Sequence, residues 1–185
     1  MDPSRFRDKM MKVDRSFAEE RYEEALTSAQ ALSKELQALP LFEAEMLCWP
    51  LYYELRSLHA LKRWATVTEF MRERSAMLNV IGPQNAAYAY SLTMEASAQA
   101  GELDQLPEWA YWCFYYRLCD DDQEALQLAI TTSRSLAQMF GKPELFPEIL
   151  DQLGEVAERF EDLQLSEFAR QWAEKERRDL ALGEG

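Results

Sequence analysis

The sequence predicts an all-α fold of about nine helices paired as antiparallel hairpins, and three observations lead there. Strong helix formers (Ala, Leu, Glu) dominate, while only six glycines and seven prolines punctuate the chain. Valine and isoleucine, which a sheet would need, are scarce. Apolar residues recur at helical spacing between the breakers, and the connections are short enough to force consecutive helices antiparallel. With 185 residues, 48% hydrophobic and 12% aromatic, the chain can bury one sizeable core. No linker or low-complexity stretch divides it, so residues 1–185 read as a single domain.

The first helix opens near Pro3-Ser4 and shows Phe6, Met10, Val13 and Phe17 on one face. A second covers about 21–37, with Tyr22, Ala25, Leu26, Ala29, Leu32 and Leu36 as its stripe. Pro40 suits the first turn of a third segment that ends near residue 61. Pro50 lies inside that segment, where a missing donor and a clash with the preceding turn predict a kink, or a split into two pieces; a kink is expected. The fourth helix, 64–78, stops at Asn79 and the Gly82-Pro83 breaker. The fifth, 84–100, ends at Gly101, a natural C-cap. The sixth, 103–118, tolerates Pro107 only in its first turn. Asp120-Asp121-Asp122 then suit the N-cap and positive dipole end of the seventh, 123–140. Gly141-Lys142-Pro143 breaks the chain before the eighth, 144–160. The ninth takes about 165–182, and Gly183-Glu184-Gly185 should fray.

Four inter-helix corners look alike: residues 20–26, 62–67, 101–106 and 161–166. Each sets a large apolar residue at the turn (Tyr22, Trp64, Leu103, Leu163) and an inward-facing position three residues on. At the first corner, Tyr22-Glu23-Glu24-Ala25 resembles the tetratricopeptide repeat, whose second helix commonly opens with an aromatic followed by Glu and Ala. Leu153-Gly154, upstream of the fourth, resembles the Leu-Gly pair of that repeat's first helix, where glycine permits close helix approach. The corner residues are spaced 42, 39 and 60 apart, against roughly 34 in that family. Val67 and Leu106 stand where the family favours a small residue, and Val13, Leu55 and Met94 replace its packing glycine. The resemblance implies a tetratricopeptide-like α-solenoid with a concave surface that binds peptides or protein segments.

A formal charge of −13 opposes nucleic acid and anionic membrane as partners, and serves first for solubility. Three cysteines (Cys48, Cys113, Cys119) without paired spacing argue against a disulfide framework and for buried, inert thiols in a reducing compartment. No signal-like apolar region opens the sequence and no apolar run approaches the ~20 residues of a membrane span. The expected address is the cytoplasm.

Enzyme signatures are missing. His59 is the sole histidine, which excludes multi-His metal sites; its context Leu58-His59-Ala60-Leu61 reads as structural or surface. The Asp120–Asp122 triplet lacks the alternation, glycine and distal Glu of a calcium loop. Neither GxGxxG nor GxxxxGK[ST] occurs. No carboxylate pair is marked for acid–base work, so no catalytic residue, metal or cofactor is assigned. Helix one carries Arg5, Arg7, Lys9, Lys12 and Arg15 beside its apolar stripe, a pattern with membrane-surface and partner-helix readings, though a terminal capping helix with a cationic outer face is the more ordinary one.

The informative stretch is Trp109-Ala110-Tyr111-Trp112-Cys113-Phe114-Tyr115-Tyr116-Arg117. Its aromatics cover every side of a helix, so either that helix is central or one face lines a groove. Trp49, Tyr52 and Tyr53 with Arg56 form a second aromatic group, and Tyr88 and Tyr90 lie between. Trp, Tyr and Arg are the residues most enriched at binding hot spots, and eight Tyr and five Trp need partners for their polar tips. The expectation is a protein-interaction module, of adaptor or chaperone type, holding a partner's peptide or helix on Tyr52, Arg56, Tyr88, Trp112, Tyr116 and Arg117. A homo-oligomer is compatible with it. The rival readings are a small-molecule sensor or enzyme with an inter-helix pocket, and a self-associating structural protein.

Overall fold

A computed structural model describes residues 2–39 and 44–183, less the side chains of Ala44 and Glu45. Among the described residues the architecture is all-α, with no strand. Nine helices follow one another there: α1 Pro3–Ala18, α2 Tyr22–Gln37, α3 Ala44–Ala60, α4 Trp64–Leu78, α5 Pro83–Ala100, α6 Leu106–Cys119, α7 Gln123–Met139, α8 Leu145–Arg159 and α9 Leu163–Gly183. Pro40 lies outside the described residues. Pro50 does not divide α3, which runs through it as one helix. Pro107 falls in the first turn of α6, because residues Leu103–Gln105 form a separate 3-10 turn instead of the predicted helical start.

One device recurs at six helix ends. A left-handed residue closes the helix at Glu20, Lys62, Gly101, Asp121, Gly141 and Glu161. At each, two backbone bonds close the end: the residue's own N–H reaches three positions back, and the next N–H reaches five back, as in Arg21 N–H to Ser16 O at 2.9 Å and Asp162 N–H to Ala157 O at 3.0 Å. These are Schellman closures, which satisfy the orphan carbonyls of a helix end and turn the chain sharply. The next helix starts within a few residues, so consecutive helices fold back as hairpins and pack on one another. Asp122 caps α7, its carboxylate accepting from Ala125 N–H at 2.9 Å, and Asp162 does the same for Leu165 N–H at 2.9 Å.

The stack is solenoid-like, and its register changes midway. From α1 to α7 the odd-numbered helices touch along one layer (α1 on α3, α3 on α5, α5 on α7). Beyond α5 the even helices take over, and α6 packs more extensively on α8 than α7 packs on either. That makes α6 the central helix. Phe114 is completely buried on it, and Leu106, Trp109 and Tyr111 are buried on other sides. Gly154 faces α9, where an added methyl would meet Arg170 Cγ and Ser166 O at 3.7 Å and Ala169 Cβ at 3.9 Å. Those are ordinary contacts, so the expected need for glycine at this crossing does not hold.

Among the described residues the core holds one buried carboxylate. Glu54 of α3 accepts from Gln30 Nε2 at 3.1 Å and stands 3.6 Å from Arg74 Nη1. Burial raises its pKa, against the smaller pull of Gln30 and Arg74. A carboxyl whose folded pKa is raised supports the fold below its unfolded pKa and loses that support as pH rises through the folded value. Glu54→Gln is therefore expected to raise the thermal midpoint at neutral pH and leave it unchanged in acid below the ordinary carboxyl range. Melts at the two pH values read the difference.

Candidate functional site

Arg56 of α3 is enclosed by aromatic rings from three helices. Its guanidinium carbon lies 4.3 Å from the ring centre of Phe17 on α1, 5.4 Å from Tyr52 and 5.3 Å from Tyr53 on α3, and 6.0 Å from Tyr88 on α5. A single such contact is worth about 0.5–2 kcal/mol, so the cage fixes the cation without any counter-charge. The parallel alignment of α1, α3 and α5 places these residues at one height. It also brings Tyr53 to Asp14, whose carboxylate accepts from the Tyr53 hydroxyl. Burial first, then Asp14, pushes Tyr53 up to about 12.

Arg117 joins this surface from α6. Its neighbour one turn back, Cys113, donates to Ala87 O at 3.5 Å and lies 3.7 Å from Ser91 Oγ, which brackets Tyr88 on α5. Burial raises the Cys113 thiol, with Ser91 and Arg117 opposing. Burial likewise raises Tyr52, and the charges of Arg56 and Arg117 both pull the other way. Two guanidiniums therefore act on one phenol. Neither forms an ion pair among the described residues, and the Nε of each is buried with no acceptor.

Of the six residues expected to share a groove, Tyr52, Arg56 and Tyr88 come together, and Arg117 stands one turn on from Cys113, which meets Ala87 and Ser91 on either side of Tyr88. Trp112 and Tyr116 do not join them. They stack on Tyr90, with ring centres 6.2 and 5.9 Å away and planes within 22° and 12°. Tyr88 and Tyr90 are two residues apart, hence about 200° around the helix, and face different neighbours. Tyr90 is buried and donates to Asn79 Oδ1 at 3.2 Å, and half-buried Trp112 and Tyr116 pack on it between α5 and α6. Burial pushes Tyr116 up to about 12.

Sequence reasoning missed the α1 side of the surface. Phe6, Met10, Asp14, Trp49 and Tyr53 line an open groove of about 470 Å³ between α1 and α3, continuous with the Arg56 cage through Tyr53. The Phe6/Met10/Phe17 stripe was visible as an apolar face, but such a pattern more ordinarily marks a capping helix than a partner-binding one. His59 pairs with Glu95 at 3.2 Å and packs edge-on to Trp64, a structural role. Cys119 is exposed, in contrast to the buried thiol expected; Cys48 and Cys113 are buried. Among the described residues no cluster of His, Cys, Asp or Glu is placed to hold a metal ion, and no helix is long and apolar enough to cross a membrane.

Comparison with protein-family models, curated proteins and solved structures returned no match. The tetratricopeptide likeness rests on the corner residues and on Leu153-Gly154.

Proposed function

We propose that this chain is a tetratricopeptide-like interaction module, an adaptor or chaperone-type protein that holds a segment of a partner protein across α1, α3 and α5. One observation carries the reading: large aromatic side chains stand open to solvent around a caged arginine. Trp49 is 39% exposed and Tyr88 41% exposed, on a surface where half-buried Met10, Phe17 and Tyr53 add apolar area and Tyr52 is buried beneath. Aromatic residues with arginine are the composition of interface hot spots, and a groove beside them gives a segment somewhere to lie. Neither nucleic acid nor membrane fits a chain of charge −13. The cytoplasm remains the proposed address.

The test is co-purification from lysate of the native cell with wild type, Trp49→Ala and Tyr88→Ala. Both side chains are exposed enough that their loss leaves the fold intact, which circular dichroism checks. A stoichiometric protein partner lost by both variants supports the module; retention by both overturns this placement of the groove. Trp112→Ala and Tyr116→Ala would report mainly on stability, since both rings pack on buried Tyr90.

A second reading, self-association, is favoured by the other end of the stack. Phe168 is 55% exposed and, with Leu126, Ile130, Leu165 and Trp172, lines a groove of about 350 Å³ between α7 and α9. A mass that rises with concentration and falls back in Phe168→Ser would establish it.

A further inference from the structure

The interaction surface has a chemical demand that its aromatic character does not explain. Arg56 and Arg117 are half-buried cations on a chain with thirteen excess negative charges, yet no carboxylate meets either among the described residues. Elsewhere on the same chain, arginines find acids readily: Arg63 pairs with Glu23, Arg72 with Glu102, and Arg134 with Glu176. Asp14, the acid nearest in the groove, is taken by the Tyr53 hydroxyl. Taking a guanidinium partly out of water costs energy, which a cage of rings offsets for Arg56, whereas among the described residues Arg117 has no ring contact and meets only the weak Cys113 thiol.

Resting on the reading of this face as a partner-binding surface, we propose that Arg56 and Arg117 form the seat for a carboxylate side chain of the bound segment. The acid would sit beside Tyr88 between the two guanidiniums, while apolar residues next to it in the segment lie on Trp49 and Tyr53. Two guanidiniums offer planar, paired donors that match a carboxylate, and charge-assisted bonds of this kind are about twice as strong as neutral ones. Burial around the seat strengthens them further, because the low local dielectric screens less.

Net charge narrows the partner. Charges beyond about 8–10 Å are screened at physiological salt, so the seat attracts an acid locally while the surrounding acidic surface repels more of them at low salt. The segment that fits both is one Asp or Glu flanked by aliphatic or aromatic residues, with neutral or basic residues outside. A polyphosphate or nucleic acid meets the same seat but carries its repulsive charge with it.

The experiment pans a phage-displayed library of random peptides, each about a dozen residues long, against the full chain. Enriched sequences are resynthesised and titrated against wild type, Arg56→Gln, Arg117→Gln and Arg56→Lys. The expected result is a consensus with one Asp or Glu among apolar residues. Affinity should fall at least about tenfold in either Gln variant, and partly recover in Arg56→Lys, which keeps charge without the planar fork. Replacing the consensus acid by its amide should cost a similar factor in wild type and nothing further in the Gln variants. A consensus that is apolar and acid-free, or binding unchanged in both Gln variants, overturns the seat while leaving the groove standing. Competition by inorganic phosphate stronger than by acetate would assign the pair to a phosphate and overturn the carboxylate. No enriched peptide at all would instead overturn the groove reading on which the seat depends.

Discussion

Phe114→Ala is expected to cost about 3–5 kcal/mol of folding free energy, the range for truncating a wholly buried aromatic ring. Phe114 is wholly buried at the middle of α6, and its neighbours Ala110 and Cys113 are also wholly buried. α6 packs on α5, α7 and α8 together, so the cavity left by the ring has walls from several helices. Such walls cannot all close in at once. The cost then includes both the lost transfer energy and a cavity term of roughly 24 cal/mol per Å³. For a chain of this size the thermal midpoint should drop by roughly 6–20 °C. Urea denaturation checks it: a loss below about 1 kcal/mol would mean that α6 is peripheral and that the change of register at α6 and α8 is misplaced.

The same helix shows what a sequence can and cannot convey. That residues 106–119 form a helix follows from their composition and from Pro107 near its start, but which way each ring faces does not. With buried residues on several sides, α6 has no stripe to fix its rotation about its own axis. α5 is similar: Ala86, Ala87, Ala89, Tyr90, Leu92, Thr93, Met94, Ala96, Ser97 and Ala98 are all buried. Small residues around the whole circumference leave Tyr88 and Tyr90 looking equivalent on paper, although one is exposed beside Arg56 and the other is core. Amphipathic helices behave differently. The stripe of α2 (Tyr22, Ala25, Leu26, Ala29, Leu32, Leu36) was legible because polar residues cover its other side, and all are buried except Tyr22 at the helix start, which is half-buried.

Pairing beyond nearest neighbours was hidden for a related reason. Short connections determine that α6 lies against α5 and α7, but contact between α6 and α8 depends on crossing angles that side chains set collectively. The candidate site inherits this. Tyr52, Arg56, Tyr88 and Arg117 come from three helices, and only the residue types, not their meeting, could be read in advance. Trp112 and Tyr116 were grouped with them because hot-spot composition and core composition share the same aromatics.

Replacing Glu20, Lys62, Asp121 and Glu161 together by glycine is expected to stabilise the chain by about 2–4 kcal/mol. Each of these residues holds φ between 52° and 59°, the left-handed region in which a Cβ crowds the following carbonyl. Glycine removes that crowding, and after its own larger loss of backbone entropy the net gain is about 0.5–1 kcal/mol per site. Asp121 should give least, since Asp tolerates this region better than Glu or Lys. The closures themselves survive the change, because they are made by backbone N–H groups that glycine keeps. Some side-chain contacts would go, but none of the four side chains is in an ion pair or side-chain hydrogen bond among the described residues, and all four are exposed. Four sites at four different hairpin corners share no partner, so their effects should add. Gly101 and Gly141 supply the internal control: the chain already uses glycine at two of six equivalent corners, and Gly101→Glu or Gly141→Glu should destabilise by a similar amount. Urea midpoints of the single and combined variants decide the matter. If the quadruple variant is no more stable than the parent, the four corners are not left-handed closures, and the hairpin geometry built on them fails with it.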